Sequence, residues 1–412
     1  MLLSLTDHQT TNDEISGENL VHESSSSSSS VIASNFDILI QILLCLPLKS
    51  LGVFKSVSKQ WLSLISDPYF VRNHRLRNQI SISGLFLPKS SLFKPGREYE
   101  LIFLDGNITS GIPVETLNFG DDPASIPIDQ SCNGLFCCSS SSRNFRTKVF
   151  SSTYYIYNPF TKHYRILPPS QFRENAFVSS SNVSLAFDPL KSPYYEAICM
   201  WRDDKYNFQI EIYSSKTDSW RLSGDTFPAP MGLYYKSGVY WNGSLHWINM
   251  ERNIAVYFDI DQELVKRMPL PSVSNGYWEN GRFAYFGESR GHLQLIDTYD
   301  PNPTRFDILE METDYTGWTT KYHVDLEGVL IAYPEIDRDR FEFSILLVQE
   351  EEESSKLVLQ ILNNMVIISY DPKDMSVKKI HDVLPVLEGG VSSRMKYGYY
   401  STYPYTETLA RV

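Results

Sequence analysis

The chain has 412 residues and a net charge of −12, with 42% hydrophobic and 21% charged residues. That length holds more than one domain and a sizeable core. The acidic balance argues against a general nucleic-acid binder, which needs a basic face to neutralise phosphates, and the 13% aromatic content favours strands.

Residues 1–34 are polar, end in the serine run Ser24–Ser30 and show no periodic apolar face, so a disordered leader is expected. Met1–Leu5 is apolar but runs at once into Asp7, His8 and Gln9, with no secretory h-region. The longest apolar run, Ile38–Leu48, is broken by Gln41 and Pro47 and is too short to span a bilayer. No membrane partner is expected, and the cytoplasm or nucleus is the expected location. The five cysteines (Cys45, Cys132, Cys137, Cys138 and Cys199) lack metal-type spacing and are expected to be reduced and packed as small hydrophobes.

Between Asn35 and His74 the period is helical. Leu39, Ile42, Leu43 and Leu46 recur at three- and four-residue steps and form one apolar stripe. Pro47 stops that helix and opens the next, on which Leu51, Phe54 and Val57 follow at threes. Val57, Trp61, Leu64 and Ile65 mark a third helix with Ser58 as its cap, and Asp67-Pro68 starts a short fourth turn carrying Tyr69, Phe70 and Val71. The segment is too small to bury all of these side chains, a pattern that points to a partner. Residues 35–80 carry Lys49, Lys55, Lys59, Arg72, Arg75 and Arg77 against Asp37 and Asp67, a basic island in an acidic chain.

From Ser81 onward short strands alternate with turn signals. In one unit an aromatic residue ends a strand, a polar turn follows and a return strand opens, as in Tyr157–Tyr164 and Tyr213–Trp220, with looser copies at Phe258 and Tyr370. The four starts give a mean period of about 53 residues if the last gap holds two units, the size of a kelch-like propeller blade. Asn133-Gly134 and Asn242-Gly243 sit between apolar stretches as tight hairpin turns, with weaker echoes at Arg290-Gly291 and Glu327-Gly328. The acidic run Glu350–Glu353 reads as a loop between two strands. Tyr399–Leu409 is expected to pair near Leu85-Phe86-Leu87 and close the ring. The expected fold is therefore α+β and multidomain: a leader over 1–34, a helical domain over 35–80 and an all-β propeller of six or seven blades over 81–412, with two stacked sheets as the alternative.

Chemistry leaves few marks. No His-Glu-x-x-His and no Gly-x-Gly-x-x-Gly occurs, and the glycines 106 and 111 lack the lysine of a phosphate loop. The histidines, His246 and His323 included, read as strand residues with hydrogen-bond partners. Asp337 and Asp339 are interrupted by Arg338 and Arg340, which speaks against a calcium loop. No cofactor and no metal are expected. A propeller hydrolase stays open, because its catalytic residues would come from separate blades.

Residues 35–75 resemble an F-box. The match runs through Cys45–Leu51, Phe54, Val57-Ser58-Lys59, Trp61 and Leu64–Phe70, while Ser34-Asn35 replaces the family's opening Leu-Pro, Gln41 a frequent Glu and Cys45 a frequent Arg. Residues 81–410 resemble the plant F-box-associated domain through Ser131–Leu135, Tyr157-Asn158-Pro159, Phe187-Asp188-Pro189, Tyr194–Ala197, Val239–Trp247 and Trp318. The resemblance implies a non-catalytic substrate receptor of a cullin-type (SCF) ubiquitin ligase that docks on a Skp-type adaptor. Leu39, Ile42, Leu43, Leu46, Pro47, Leu51, Phe54, Val57, Trp61 and Ile65 would form the adaptor face together with its supporting core. The target would be an unidentified protein, held by loops such as Asp121–Ile128, Ser170–Asn182 and Val273–Arg282. A lectin-like or protein-binding propeller with a vestigial F-box is the alternative.

Overall fold

The computed structural model describes residues 36–78, 81–89, 98–105, 114–117, 126–143, 150–172, 180–202, 207–228, 238–249, 254–271, 282–298, 304–350, 355–383, 386–388, 391–393 and 395–412. The leader and the altered F-box start at Ser34-Asn35 lie outside them.

Four helices come first: α1 (Phe36–Leu44), α2 (Leu48–Phe54), α3 (Lys59–Ile65) and α4 (Pro68–Arg77). Each boundary has a local cause. Pro47, with φ −59°, precedes α2 and ends α1. The Ser58 hydroxyl accepts the Trp61 N–H at 3.1 Å and caps α3. Asp67 accepts the N–H groups of Tyr69 and Phe70 at 2.9 and 3.2 Å, with Pro68 in the first turn of α4. The expected short fourth turn is thus a ten-residue helix. It is prolonged because Phe70 and His74, one turn apart, both bury, and the His74 Nε2 meets the Leu46 carbonyl at 2.8 Å.

Six four-stranded antiparallel sheets follow. The first holds β1 (Gly84–Lys89), β2 (Glu98–Phe103) and β3 (Val114–Thr116); the second β4 (Ile128–Cys132), β5 (Leu135–Arg143), β6 (Phe150–Asn158) and β7 (His163–Ile166). The third holds β8 (Ser180–Ala186), β9 (Glu196–Arg202), β10 (Asn207–Ser214) and β11 (Ser219–Pro228). The fourth is β12 (Val239–Trp241), β13 (Ser244–Asn249), β14 (Ile254–Asp259) and β15 (Leu264–Arg267). The fifth is β16 (Arg282–Ser289), β17 (His292–Thr298), β18 (Arg305–Met311) and β19 (Trp318–Asp325), followed by α5 (Glu327–Ala332). The sixth is β20 (Phe343–Glu350), β21 (Ser355–Ile361), β22 (Val366–Asp371) and β23 (Ser376–Asp382). After a small hairpin of β24 (Val386–Glu388) and β25 (Val391–Ser393), the last strand β26 (Tyr403–Tyr405) returns to β1, pairing Phe86 with Tyr403 and Gly84 with Tyr405. The ring closes where the sequence placed the closure, and it has six blades.

The blades read as their burial requires. Middle strands such as β9 are covered on both faces by neighbouring blades and run nearly continuously apolar; β10 is as buried but carries Gln209 and Glu211 among its apolar residues, whereas the outermost β7, β15 and β23 are largely exposed. Asn133-Gly134, Asn242-Gly243 and Arg290-Gly291 all have both residues at positive φ, the hairpin geometry expected of them. Glu327-Gly328 is instead the start of α5. A Cβ on Gly328 would meet the Met375 carbonyl at 2.7 Å, so glycine there serves close packing and makes no hairpin. Neighbouring blades are stapled from the outside in a recurring way. The indole N–H groups of Trp220 and Trp318 donate to the carbonyls of Pro168 and Pro269 in the preceding blade, at 2.7 and 2.8 Å.

Candidate functional site

The helical unit has a core of Leu39, Leu43, Leu44, Leu48, Leu51, Ile65 and Phe70, and that core is completed from outside by Leu409 near the end of the chain. The ten residues singled out from sequence divide into three sets. Leu39, Leu43, Leu51 and Ile65 are buried; Leu46, Phe54 and Trp61 are half-buried, with the Phe54 and Trp61 rings edge to face at 5.4 Å; Ile42, Pro47 and Val57 are exposed. Ile42 and Val57 stand 43% and 59% open, a large apolar surface for side chains of this kind. The helical stripe did not pick out Phe36, Ile38, Val53 and Leu62, which are also exposed. They fall off the stripe, and apolar residues at off-stripe positions are the signal that would have found them.

The unit's other side is clamped to one face of the propeller. Strand alternation puts the β4–β5, β8–β9, β12–β13 and β16–β17 turns at one end of the channel, and that is the end the helices meet. Arg75 donates to the Asn133 side chain at 3.2 Å and Arg72 to the Leu190 carbonyl at 2.7 Å. Phe160, in the β6–β7 turn, packs on the helical core. The tail that follows β26 is threaded through this seam. Asn158 donates to the carbonyls of Thr408 and Ala410 at 3.0 and 2.8 Å, and Lys49 pairs with Glu407 at 3.7 Å. The crossovers between blades leave from the opposite end. The loops Asp121–Ile128, Ser170–Asn182 and Val273–Arg282 are such crossovers, and most of their residues lie outside those described.

The innermost strands leave a channel of about 690 Å³. Its walls include Tyr240, Trp247, Tyr285 and Phe286, with Tyr399 and Tyr400 at the end away from the helices. Asp129 and Glu288 are among its lining residues, and no Lys or Arg is. Burial raises Glu288 above the usual carboxylate range, against the opposing pull of the Gly291 N–H, Arg75 and His292. His246, also on the wall, is driven down to about 4 by burial and is neutral. Its Nδ1 faces the Val239 carbonyl at 3.1 Å and its Nε2 the Tyr315 hydroxyl at 2.9 Å. His323 lies on β19 beside Asp307 at 2.7 Å. Both histidines are therefore strand residues with partners. Four of the cysteines are buried as expected, and burial pushes the Cys132 thiol up to about 12; Cys45 departs from the expectation and is exposed.

Gly287-Glu288-Ser289-Arg290-Gly291 matches the spacing of a serine-hydrolase elbow. The context is wrong for that chemistry. The segment is strand, tight hairpin, strand, with no helix after the serine. Ser289 is buried and its hydroxyl accepts the Glu350 N–H at 2.9 Å. His292, its cross-strand neighbour, is engaged by Glu310 and lies 3.6 Å from Glu350, not against the serine. Lys321 joins Glu310 and Glu350 at 2.5 and 2.7 Å, so the cluster is a partly buried ion network. Burial works to raise Glu310, but Lys321 and His292 outweigh it and hold the carboxyl below its usual range.

A four-helix unit fixed to one end of a closed six-bladed propeller is an architecture typical of substrate adaptors. The comparisons agree with it region by region. Residues 35–73 match the family model described as F-box domain, and residues 107–298 match the one described as F-box associated beta propeller domain. Over 94% of its length the chain is 31% identical to F-box protein At5g07610 of Arabidopsis thaliana, of which it covers 94%. It is 29% identical to F-box protein At5g49610 over 73% of the chain and 81% of the relative. It is also 25% identical to F-box/kelch-repeat protein At3g17530, over 57% and 60%, both from the same plant. The chain belongs to the plant F-box proteins with an F-box-associated propeller. Among the described residues no helix is long and apolar enough to cross a membrane.

Proposed function

We propose that this chain is the substrate-recognition subunit of an SCF-type ubiquitin ligase. The helical unit docks on a Skp-type adaptor, and through it on a cullin, while the propeller holds a target protein in the cytoplasm or nucleus for ubiquitination and proteasomal degradation. The observation that carries this reading is the two-sidedness of the helical unit. One side shares its core with the propeller, and the other keeps Ile42 and Val57 in solvent. Ile42, Pro47 and Val57, with the half-buried Leu46, Phe54 and Trp61, make the adaptor contact; Leu39, Leu43, Leu51 and Ile65 support it from beneath. The chain's contribution to rate is proximity, bringing target lysines to a ubiquitin-charged enzyme.

Co-purification with a Skp-type adaptor tests the reading. Ile42→Asp with Val57→Asp is expected to weaken adaptor binding at least about 100-fold, since each side chain contributes roughly 1.5–3 kcal/mol when buried, with the melting temperature unchanged. Wild type that fails to bind, or a double variant that binds equally well, would sink it. Glycan binding without adaptor binding would favour the lectin-like alternative. The same double variant, used for affinity capture, spares bound targets from degradation and so reveals them.

A further inference from the structure

We propose that Asn158 is a positioning residue, a buried clamp that holds the helical unit in one fixed attitude to the propeller. It ends β6 and is 0% exposed. Its Oδ1 accepts the N–H groups of Phe160 and Thr161 at 3.0 and 3.1 Å, within the β6–β7 turn. Its Nδ2 donates to the carbonyls of Thr408 and Ala410 at 3.0 and 2.8 Å, in the tail that follows β26. A primary amide has two donors and two acceptor sites, and all four are used. Two N–H groups on one side and two carbonyls on the other also fix which way the amide faces. Aspartate shares the shape and lacks the donors.

What the two ends of the clamp carry sets it apart from a turn cap. Phe160 and Leu409 are the two propeller side chains that pack into the helical core. Phe160 is held by its own N–H, and Leu409 lies between the two carbonyls that the amide grips. One side chain thus aligns both contacts, from segments 252 residues apart in sequence. The tail is seated on its other side as well. Thr408 closes on the Asn133-Gly134 turn, where a Cβ on Gly134 would meet its Cγ2 at 2.7 Å, and Ala410 enters the core between the second and third blades. The remaining contacts across the seam are weaker fixings. Lys49, paired with Glu407 at 3.7 Å, is 75% exposed, and the Arg72 bond to Leu190 is exposed too. Arg75 gives Asn133 a single bond of 3.2 Å. The purpose of the clamp rests on the receptor reading: there the chain acts by proximity, which requires the two docking sites to keep one separation and angle.

Paired spin labels in the full chain test the proposal. Cys45 is exposed in the helical unit and the other four cysteines are buried, so one label goes there. The second goes on Asp261→Cys, in the exposed β14–β15 turn. With Asn158 in place, the chain is expected to give one narrow distance. Asn158→Asp keeps the acceptor and loses both donors, and is expected to lose that single distance and give a broad distribution while both parts remain folded. Asn158→Ser, with a hydroxyl for the turn but no reach to the tail, should do the same. Lys49→Ala should leave the distance narrow. A role confined to stability would lower the melting temperature and leave the distance in the folded chain narrow, which overturns the proposal. So does a broad distribution with Asn158 in place, or equal broadening by Lys49→Ala. If Asn158→Asp does not fold, Asn158→Ser decides by the same readings. The distances do not depend on the adaptor, so the clamp and the receptor reading fail separately.

Discussion

The helical unit and the propeller bury their apolar side chains in opposite ways. Each blade is covered by its neighbours, and because β26 returns to β1 the series has no uncovered end. The helical unit is too short to wrap itself. It borrows Leu409 and Phe160 from the propeller and still leaves Phe36, Ile38, Ile42, Val53, Val57 and Leu62 at the surface. One side of an undersized core is thus completed within the chain, and the other is left for a second chain. The propeller places its unusual feature inside, as a channel, and the helical unit places its own outside.

The sharpest way to break that comparison is to remove the borrowed residue. Leu409 is 3% exposed within the helical core. Truncating such a leucine costs about 2–5 kcal/mol, and a carboxylate in its place adds the cost of an unpaired buried charge. Leu409→Asp is therefore expected to split thermal unfolding in two. The helical unit should melt early and become protease-sensitive near residues 78–81, with the propeller transition nearly unmoved. A single unchanged transition would show that the seam is not a shared core. If the split occurs, adaptor binding should fall with it, even though Leu409 lies far from the exposed face.

The propeller offers the next largest effect, through His246. A carbonyl only accepts, so Nδ1 donates to Val239 and Nε2 accepts from the Tyr315 hydroxyl, in a ring that lies beside the stacked pair of Tyr257 and Tyr315. Protonation would put a second donor where an acceptor is needed. Because burial drives the folded value to about 4, the unfolded chain takes up the proton first as pH falls. The contribution is complete above the unfolded value of about 6.5 and is lost as pH drops toward 4, an effect of about 3 kcal/mol at most. Urea midpoints near pH 7 and near pH 4.5 should fall less in His246→Gln than in wild type. Equal falls would assign the acid sensitivity to other groups.

Signals set by near neighbours mostly survived into the structure, although the Glu327-Gly328 echo opens a helix; of the assembled features the ring closure held, while the blade count and the split of core from surface were not legible. The helical stripe whose Leu39 and Leu43 bury, the Ser58 cap and the Asn-Gly turns depend on neighbours within a few residues, and each stands where its pattern put it. The blade count was not legible, because the fifth blade's outer turn opens on Met311 where its counterparts open on Tyr or Phe. The split of the ten helical residues into core and surface depends on Leu409, from the other end of the chain. Gly287–Gly291 shows the converse error. Its spacing imitates a catalytic elbow, and only the hairpin that follows Ser289 removes the resemblance. Glu288 in the same pentapeptide gains its setting from walls that several blades supply.

The smallest expected effect tests whether the propeller is as self-contained as the comparison requires. Trp220 and Trp318 stand at equivalent places in the third and fifth blades, each donating its indole N–H to a proline carbonyl of the blade before. Phenylalanine keeps most of the aromatic packing and removes the donor, a loss of about 1 kcal/mol per site. The two sites lie in non-adjacent blades and share no partner, so Trp220→Phe and Trp318→Phe are expected to add in the double variant. Adaptor binding should not change in any of the three. A double loss well beyond the sum would mean that the ring transmits strain through the intervening blade. Weakened adaptor binding would mean that the helical unit feels the ring's closure through the tail that follows β26.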